Sequence, residues 1–405
     1  MKNKIKVFIA AGAAIIATLG LISPILASQY NSNSNSESPQ RKIVVFKQGI
    51  LSELEKDALI DNSGGAKIKD LKLINGRAAL LSPKAEKTLA KMQGVLRIDD
   101  DVVVEALDRP FSASRIREVA LLSQSLPWGV DRIDAEKVWD TTTGDPIKVV
   151  VIDTGIDILH PDLKANIKGG VNTINSRRSY TDDNGHGTHV AGIIGAIDNV
   201  IGVVGVGPEI DLYAVKALDR RGSGYLSDII EGLDWAIANN MQVVNMSLGT
   251  SANVLSFQEA VQRVNATGIV QVAAAGNSGG AVLYPAAYSE VIAVSATDAS
   301  DTIASWSSRG PEVDLAAPGV SIYSTYKGST YATLSGTSMA SPHVAGVAAL
   351  VLSVPDKCQY LLDGILGCSP AEVQKRLEQT AEDLGAEGKD ILYGSGLVDA
   401  GAAVK

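Results

Sequence analysis

The run Lys148-Val149-Val150-Val151-Ile152-Asp153-Thr154-Gly155 constrains the fold more than any other segment. Consecutive β-branched apolar residues with no polar alternation describe a strand covered on both faces, the habit of a central strand in a parallel sheet. Parallel strands need crossover connections, so the expected fold class is α/β, a parallel sheet with helices on both faces. The run ends in a carboxylate followed by a glycine. Ligand sites in open α/β sheets lie at the carboxyl ends of strands, which makes Asp153 a candidate functional group.

Two further segments add chemistry. Val344 to Leu352 is apolar on every side, as a helix enclosed by its own domain would be, and Gly336-Thr337-Ser338-Met339-Ala340-Ser341-Pro342-His343 leads into it. Helix N-termini present unpaired N–H groups and the positive end of the dipole, so an oxyanion formed beside Ser338 would be stabilised there. On this segment alone Ser338 is equally well read as an N-cap. Asp183-Asn184-Gly185-His186-Gly187-Thr188-His189 opens a second helix of small residues. Histidine's unperturbed pKa lies near neutrality, so His186 could take and return the serine proton, with a buried Asp153 fixing its tautomer.

Other chemistries fit less well. An aspartic protease needs a second Asp-Thr-Gly, and Asp153 begins the only one. His186 and His189 lack the glutamate of a zincin helix. Gly202-Val203-Val204-Gly205-Val206-Gly207 has the wrong spacing for a dinucleotide fingerprint, and Ala340 stands where a hydrolase elbow has glycine. With net charge −9 and pI near 5.1, the acidic chain disfavours a nucleic-acid partner.

Asp153-Thr154-Gly155, His186-Gly187-Thr188-His189 and Gly336-Thr337-Ser338-Met339-Ala340-Ser341-Pro342, in that order, resemble the subtilisin family of serine proteases. The likeness runs from about Gln124 to the end and includes Tyr213-Ala214-Val215-Lys216, Val244-Asn245-Met246-Ser247-Leu248-Gly249 and Ala273-Ala274-Ala275-Gly276-Asn277. It implies a serine endopeptidase acting on polypeptides, with Asp153, His186 and Ser338 as triad and with the Asn277 side chain and Ser338 N–H as oxyanion donors. Asn277 alone, between Gly276 and Gly279, also reads as a turn residue. The resemblance further implies substrate-binding edges at Gly222-Ser223-Gly224 and Ser247-Leu248-Gly249, with a primary pocket including Ala274 and Gly276. Leu283 stands where glycine is common in the family, so the pocket is expected to be apolar and shallow. A structural calcium ion is implied, held by side chains of Gln124, Asp162 and Asn199 and carbonyls of Ile197, Ile201 and Val203, an oxygen-only set suited to a hard cation.

The first quarter of the chain has its own plan. Lys2, Lys4 and Lys6 precede the apolar run Val7 to Ile22, with Ala27 after it, the layout of a secretory signal peptide over 1–28. That run is shorter than the roughly 20 residues of a membrane span, so secretion without stable membrane association is expected. A polar linker follows at 29–40. Residues 41–107 alternate strands and helices around Asn75-Gly76 in a split β-α-β pattern, a small ferredoxin-like α+β domain. It resembles the family's inhibitory propeptide, which implies that Glu105-Ala106-Leu107 lies in the cleft and that cleavage follows Leu107, or else falls nearer Leu122. Residues 108–123 would be an extension or removed linker, and 124–405 the catalytic domain, expected as a monomer. Cys358 and Cys368, the only cysteines, suggest a disulfide closing a short loop in a secreted chain.

Overall fold

The computed structural model describes residues 38–107, 123–354 and 368–405. The expected signal peptide, residues 29–37 of the linker, residues 108–122 and Cys358 lie outside them. From Ser38 onward the chain forms one compact unit.

The small domain comes first. Strand β1 (Gln40–Phe46), helix α1 (Glu53–Asn62), strands β2 (Ala66–Leu71) and β3 (Gly76–Leu81), helix α2 (Pro83–Leu89) and strand β4 (Val95–Asp100) build an antiparallel sheet in the order β2-β3-β1-β4. Both helices begin at serines, Ser52 and Ser82, whose side chains cap the first turn. Val44, Phe46, Ile60, Leu81 and Leu89 form a core of their own. Two details depart from expectation. The Asn75-Gly76 turn is not a two-residue hairpin, because a 3-10 turn over Lys72–Ile74 intervenes after β2, and Asn75 takes the left-handed conformation. Residues 41–107 do not all stay in the one small domain expected of them: the chain breaks at Asp101-Val102, and strand β5 (Val103–Ala106) leaves the small sheet for a different one. The break has a tertiary cause: the Asp101 carboxylate is drawn to the Ser227 N–H at 2.8 Å and to Arg41 Nε at 2.8 Å.

The larger part of the chain follows. Its elements are α3 (Trp128–Arg132), β6 (Lys148–Asp153), β7 (Ile167–Asn172), α4 (His186–Gly195), β8 (Asp211–Lys216), β9 (Ser223–Tyr225), α5 (Leu226–Ala238), β10 (Val243–Met246), β11 (Leu248–Gly249), α6 (Leu255–Ala266), β12 (Val270–Ala274), β13 (Ile292–Thr297), β14 (Leu315–Pro318), β15 (Ile322–Tyr326), β16 (Thr330–Leu334), α7 (Thr337–Leu352), α8 (Pro370–Thr380) and α9 (Ala400–Val404). Seven strands form a parallel sheet in the order β14-β13-β12-β10-β6-β8-β7. Strand β6 lies inside it, as its unbroken apolar run requires. Val149 and Val151 face one core with α4 and α7, while Val150 and Ile152 face the other with α5 and α6. Burying each such side chain fully contributes about 1.5–3 kcal/mol. The sheet is thus held from both faces, and its carboxyl edge carries the ends of β6, β10 and β12. Among the described residues, no helix is long and apolar enough to cross a membrane.

Candidate active site

Asp153 closes β6 and is fully buried. His186 opens α4 and presents Nδ1 to both Asp153 oxygens, at 2.8 and 2.9 Å. Close packing makes this contact possible: a Cβ on Gly187 would stand 2.2 Å from the Gly155 carbonyl, so only glycine lets α4 approach the end of β6. The first amides of α4 are satisfied by side chains. His186 N–H donates to Asn184 Oδ1, Gly187 N–H to Thr154 Oγ1 and Thr188 N–H to Asp182 Oδ2. Asp182, which the sequence did not single out, also accepts from Thr154 Oγ1, Asn184 N, Gly185 N and Thr188 Oγ1, so one buried carboxylate binds the strand end to the helix start. Lys216, at the end of β8 beside Asp153, is buried and donates to the Thr154 carbonyl and to Asp183.

Ser338 lies inside α7 rather than at its cap. Gly336 is the N-cap, so the capping alternative does not hold. Its hydroxyl donates to the Ser247 carbonyl at 3.0 Å. Asn277 follows β12, and its amide is oriented by Thr337, whose N–H and Oγ1 both donate to Asn277 Oδ1 at 2.9 Å. That leaves Nδ2 free to donate to the Leu107 carbonyl.

The cleft holds the chain's own residues 103–107. Strand β5 is the middle member of a three-stranded antiparallel sheet, with β11 on one side and β9 on the other. The expected edges are therefore both engaged: Leu248 and Gly249 pair with Ala106 and Glu105, while Ser223 and Gly224 pair with Glu105 and Val104. Ala106 N–H donates to the Gly222 carbonyl at 2.8 Å, and Leu107 N–H to the Ser247 carbonyl at 3.2 Å. The Leu107 carbonyl oxygen lies 2.5 Å from Asn277 Nδ2. A Cβ on Gly249 would meet Leu107 Cδ1 at 3.1 Å and Leu283 Cβ at 3.2 Å, so the Leu107 side chain lies over a bare backbone with Leu283 alongside. Leu283 is fixed by its N–H on the Ala275 carbonyl, and Gly276 N–H by Thr337 Oγ1. Ala274 ends β12 in the buried wall behind.

Away from the cleft, Gln124, Asp162, Ile197, Asn199, Ile201 and Val203 meet in one place. Asn199 N–H donates to Gln124 Oε1, Asn199 Nδ2 to Asp162 Oδ1, Ile197 N–H to the Asp162 carbonyl and Val203 N–H to Asp162 Oδ2. Tyr331 also donates its hydroxyl to Asp162 at 2.8 Å. One buried carboxylate among neutral amide and carbonyl oxygens fits a hard divalent cation better than a softer metal. Cys368 packs on the main core, but Cys358 lies outside the described residues.

Residues 144–396 match the Subtilase family. The chain belongs to that family. Subtilisin E of Bacillus subtilis (strain 168) is 41% identical over 403 residues, covering 97% of this subtilase and 98% of the relative. Subtilisin amylosacchariticus of Bacillus subtilis subsp. amylosacchariticus matches to the same extent. A thermostable alkaline protease of Halalkalibacterium halodurans is 49% identical over 286 residues, 70% of this chain and 75% of its own. The subtilase is accordingly a serine endopeptidase with polypeptide substrates, and its parallel sheet flanked by helices is the fold of that family.

Proposed function

We propose that this subtilase is a secreted endopeptidase made as a self-processing precursor, with Asp153, His186 and Ser338 as triad. The Ser338 hydroxyl leaves the Ser247 carbonyl, gives its proton to His186 Nε2 and attacks the scissile carbonyl, while Asp153 holds the imidazole through Nδ1. The developing oxyanion is stabilised by Asn277 Nδ2 and the Ser338 N–H. His186 returns the proton to the leaving amine, and water then hydrolyses the acyl-enzyme by the same steps in reverse.

The observation that carries this reading is the position of Leu107. Its carbonyl sits 2.5 Å from Asn277 Nδ2 and its N–H on the Ser247 carbonyl, the posture of an acyl residue in a protease groove. Residues 41–107 are accordingly read as an inhibitory propeptide, cut after Leu107. The Leu107 side chain beside Leu283 and Gly249 supports a pocket for medium-sized apolar residues. Gln124, Asp162 and Asn199, with the carbonyls of Ile197, Ile201 and Val203, would hold a calcium ion; when bound, it would brace the loop that precedes Ser125 and supply no chemistry to the cleft. A Cys358–Cys368 disulfide, a signal peptide over 1–28 and a monomeric state complete the proposal.

The test is to express the normal chain and Ser338→Ala side by side and determine mass and N-terminal sequence. Loss of the first domain from the normal chain alone supports the reading. Identical trimming of both chains assigns the cut to another protease and refutes self-processing.

A further inference from the structure

Helix α7 contains a proline at its sixth position, Pro342. Proline has no N–H, so the carbonyl four residues earlier, that of Ser338, receives no helical hydrogen bond from it. A buried carbonyl left so would cost free energy. In this subtilase a side chain takes the place of the missing donor: Ser247 Oγ donates to the Ser338 carbonyl at 2.9 Å.

Ser247 is in turn held from behind. Asn245 Nδ2 donates to Ser247 Oγ at 3.0 Å, and Asn245 Oδ1 accepts from Ser341 Oγ at 2.6 Å. Asn245, Ser247, Ser338 and Ser341 are all fully buried. The direction of every bond in the chain is fixed. The Ser338 carbonyl can only accept, so Ser247 must donate to it; the lone pair of Ser247 then needs the NH2 side of Asn245, which turns Oδ1 to Ser341. Ser341 is on the same first turns of α7 as Ser338, so the bonds close a ring between the end of β10 and the start of α7.

Ser247 matters twice in the cleft. Its hydroxyl holds the Ser338 main chain, while its carbonyl accepts from Leu107 N–H at 3.2 Å and Ser338 Oγ at 3.0 Å. Any rotation of Ser247 shifts the acyl residue and the nucleophile's peptide together. We infer that Asn245 is a positioning residue for the reaction: through Ser247 it fixes the main chain of Ser338 in place of the helical bond that Pro342 removes. The inference rests on Ser338 being the nucleophile. A mere core hydrogen bond would contribute stability; a positioning bond contributes to the transition state more than to substrate binding, because misplacement of reacting groups is costly only where geometry is demanding.

The experiment compares the mature enzyme with Asn245→Ala and with Ser341→Ala, the latter removing only the far end of the ring. Active sites are first titrated with a phosphonyl fluoride, and labelling at Ser338 in the parent secures the nucleophile assignment separately. A parent that is active but unlabelled at Ser338 would remove the ground for this inference and for the triad alike. Kinetics then use a peptide substrate ending in leucine at the acyl position, with the matching peptidyl boronate as transition-state analogue. The expected result is a kcat per labelled site lower by about 10- to 100-fold for Asn245→Ala and less for Ser341→Ala, with KM held within about threefold. Boronate affinity should fall in step with kcat/KM. A lower melting temperature with kcat per site unchanged overturns the inference, as does a raised KM with kcat unchanged. If Asn245→Ala does not fold, the same split in Ser341→Ala decides.

Discussion

Asp99, Asp100 and Asp101 are consecutive acids that differ only in what they touch, and they give a controlled test of how the small domain is held. The Asp101 side chain has no exposed surface and accepts from Ser227 N–H at 2.8 Å, Ser227 Oγ at 2.9 Å and Arg41 Nε at 2.8 Å. It thereby caps α5, whose first amide, Leu226 N–H, is met by the Val102 carbonyl. Asp99 does the same for α6 through Ser256 N–H and Oγ. Asp100 is 68% exposed and pairs only with Lys42 and its own sheet. Losing an N-cap costs about 1 kcal/mol, and leaving a largely buried guanidinium without its carboxylate adds about 2–3 kcal/mol. Asp101→Ala should thus weaken binding of the 41–107 segment to the mature enzyme by about 3–4 kcal/mol, or two to three decades in inhibition constant. Asp100→Ala, with the same change of charge, should stay within about threefold. The assay is inhibition of the mature enzyme by each purified segment, with circular dichroism of the free segments as control. Equal inhibition by the Asp101→Ala and unaltered segments would refute the capping argument; equal weakening by both alanine variants would show a diffuse effect of charge instead.

Leu283→Gly should deepen the primary pocket, raising kcat/KM for phenylalanine relative to leucine at the acyl position by about 10- to 100-fold, as peptide kinetics would show. Burial pushes His343 down to about 4 and His189 down to about 3. The unfolded chain therefore binds protons below about pH 6.5 that the folded chain refuses, and stability falls as pH drops toward 5 by about 1.4 kcal/mol per unit for each group. Denaturant unfolding between pH 6.5 and 5 should be less steep in His343→Gln, and an unchanged slope would remove His343 from the account. Chelation of calcium should lower the melting temperature of the parent but not of Asp162→Asn, an expectation that fails if both respond alike.

The sheet was legible because the β6 run has no polar alternation, and Asp153 and His186 were legible because each sits at the end of a strong element. What the sequence did not disclose depends on partners far away in the chain. The break between β4 and β5 is set by Asp101 meeting Ser227, 126 residues on, and nothing in Asp-Asp-Asp says which acid will cap a helix. Asp182 was hidden in part for the same reason: its bonds to Asn184, Gly185 and Thr188 are local, but the one that ties the helix start to the strand end comes from Thr154, 28 residues earlier. Ser338 looked like a cap because propensity cannot tell the residue before a helix from one in its first turn, and here Gly336 takes the cap.

The sheet β9-β5-β11 has a consequence for timing. Its flanking strands span three and two residues and meet only through β5, so they form a sheet only while a peptide lies between them. As long as the chain is continuous that peptide is tethered, and dilution cannot dislodge it. If the bond after Leu107 is cut, as proposed, the same contacts would become bimolecular and the local concentration that a tether guarantees would be lost. Scission would thus change chiefly how occupancy of the cleft depends on volume, so that a protease released into a larger compartment would become active by spreading out.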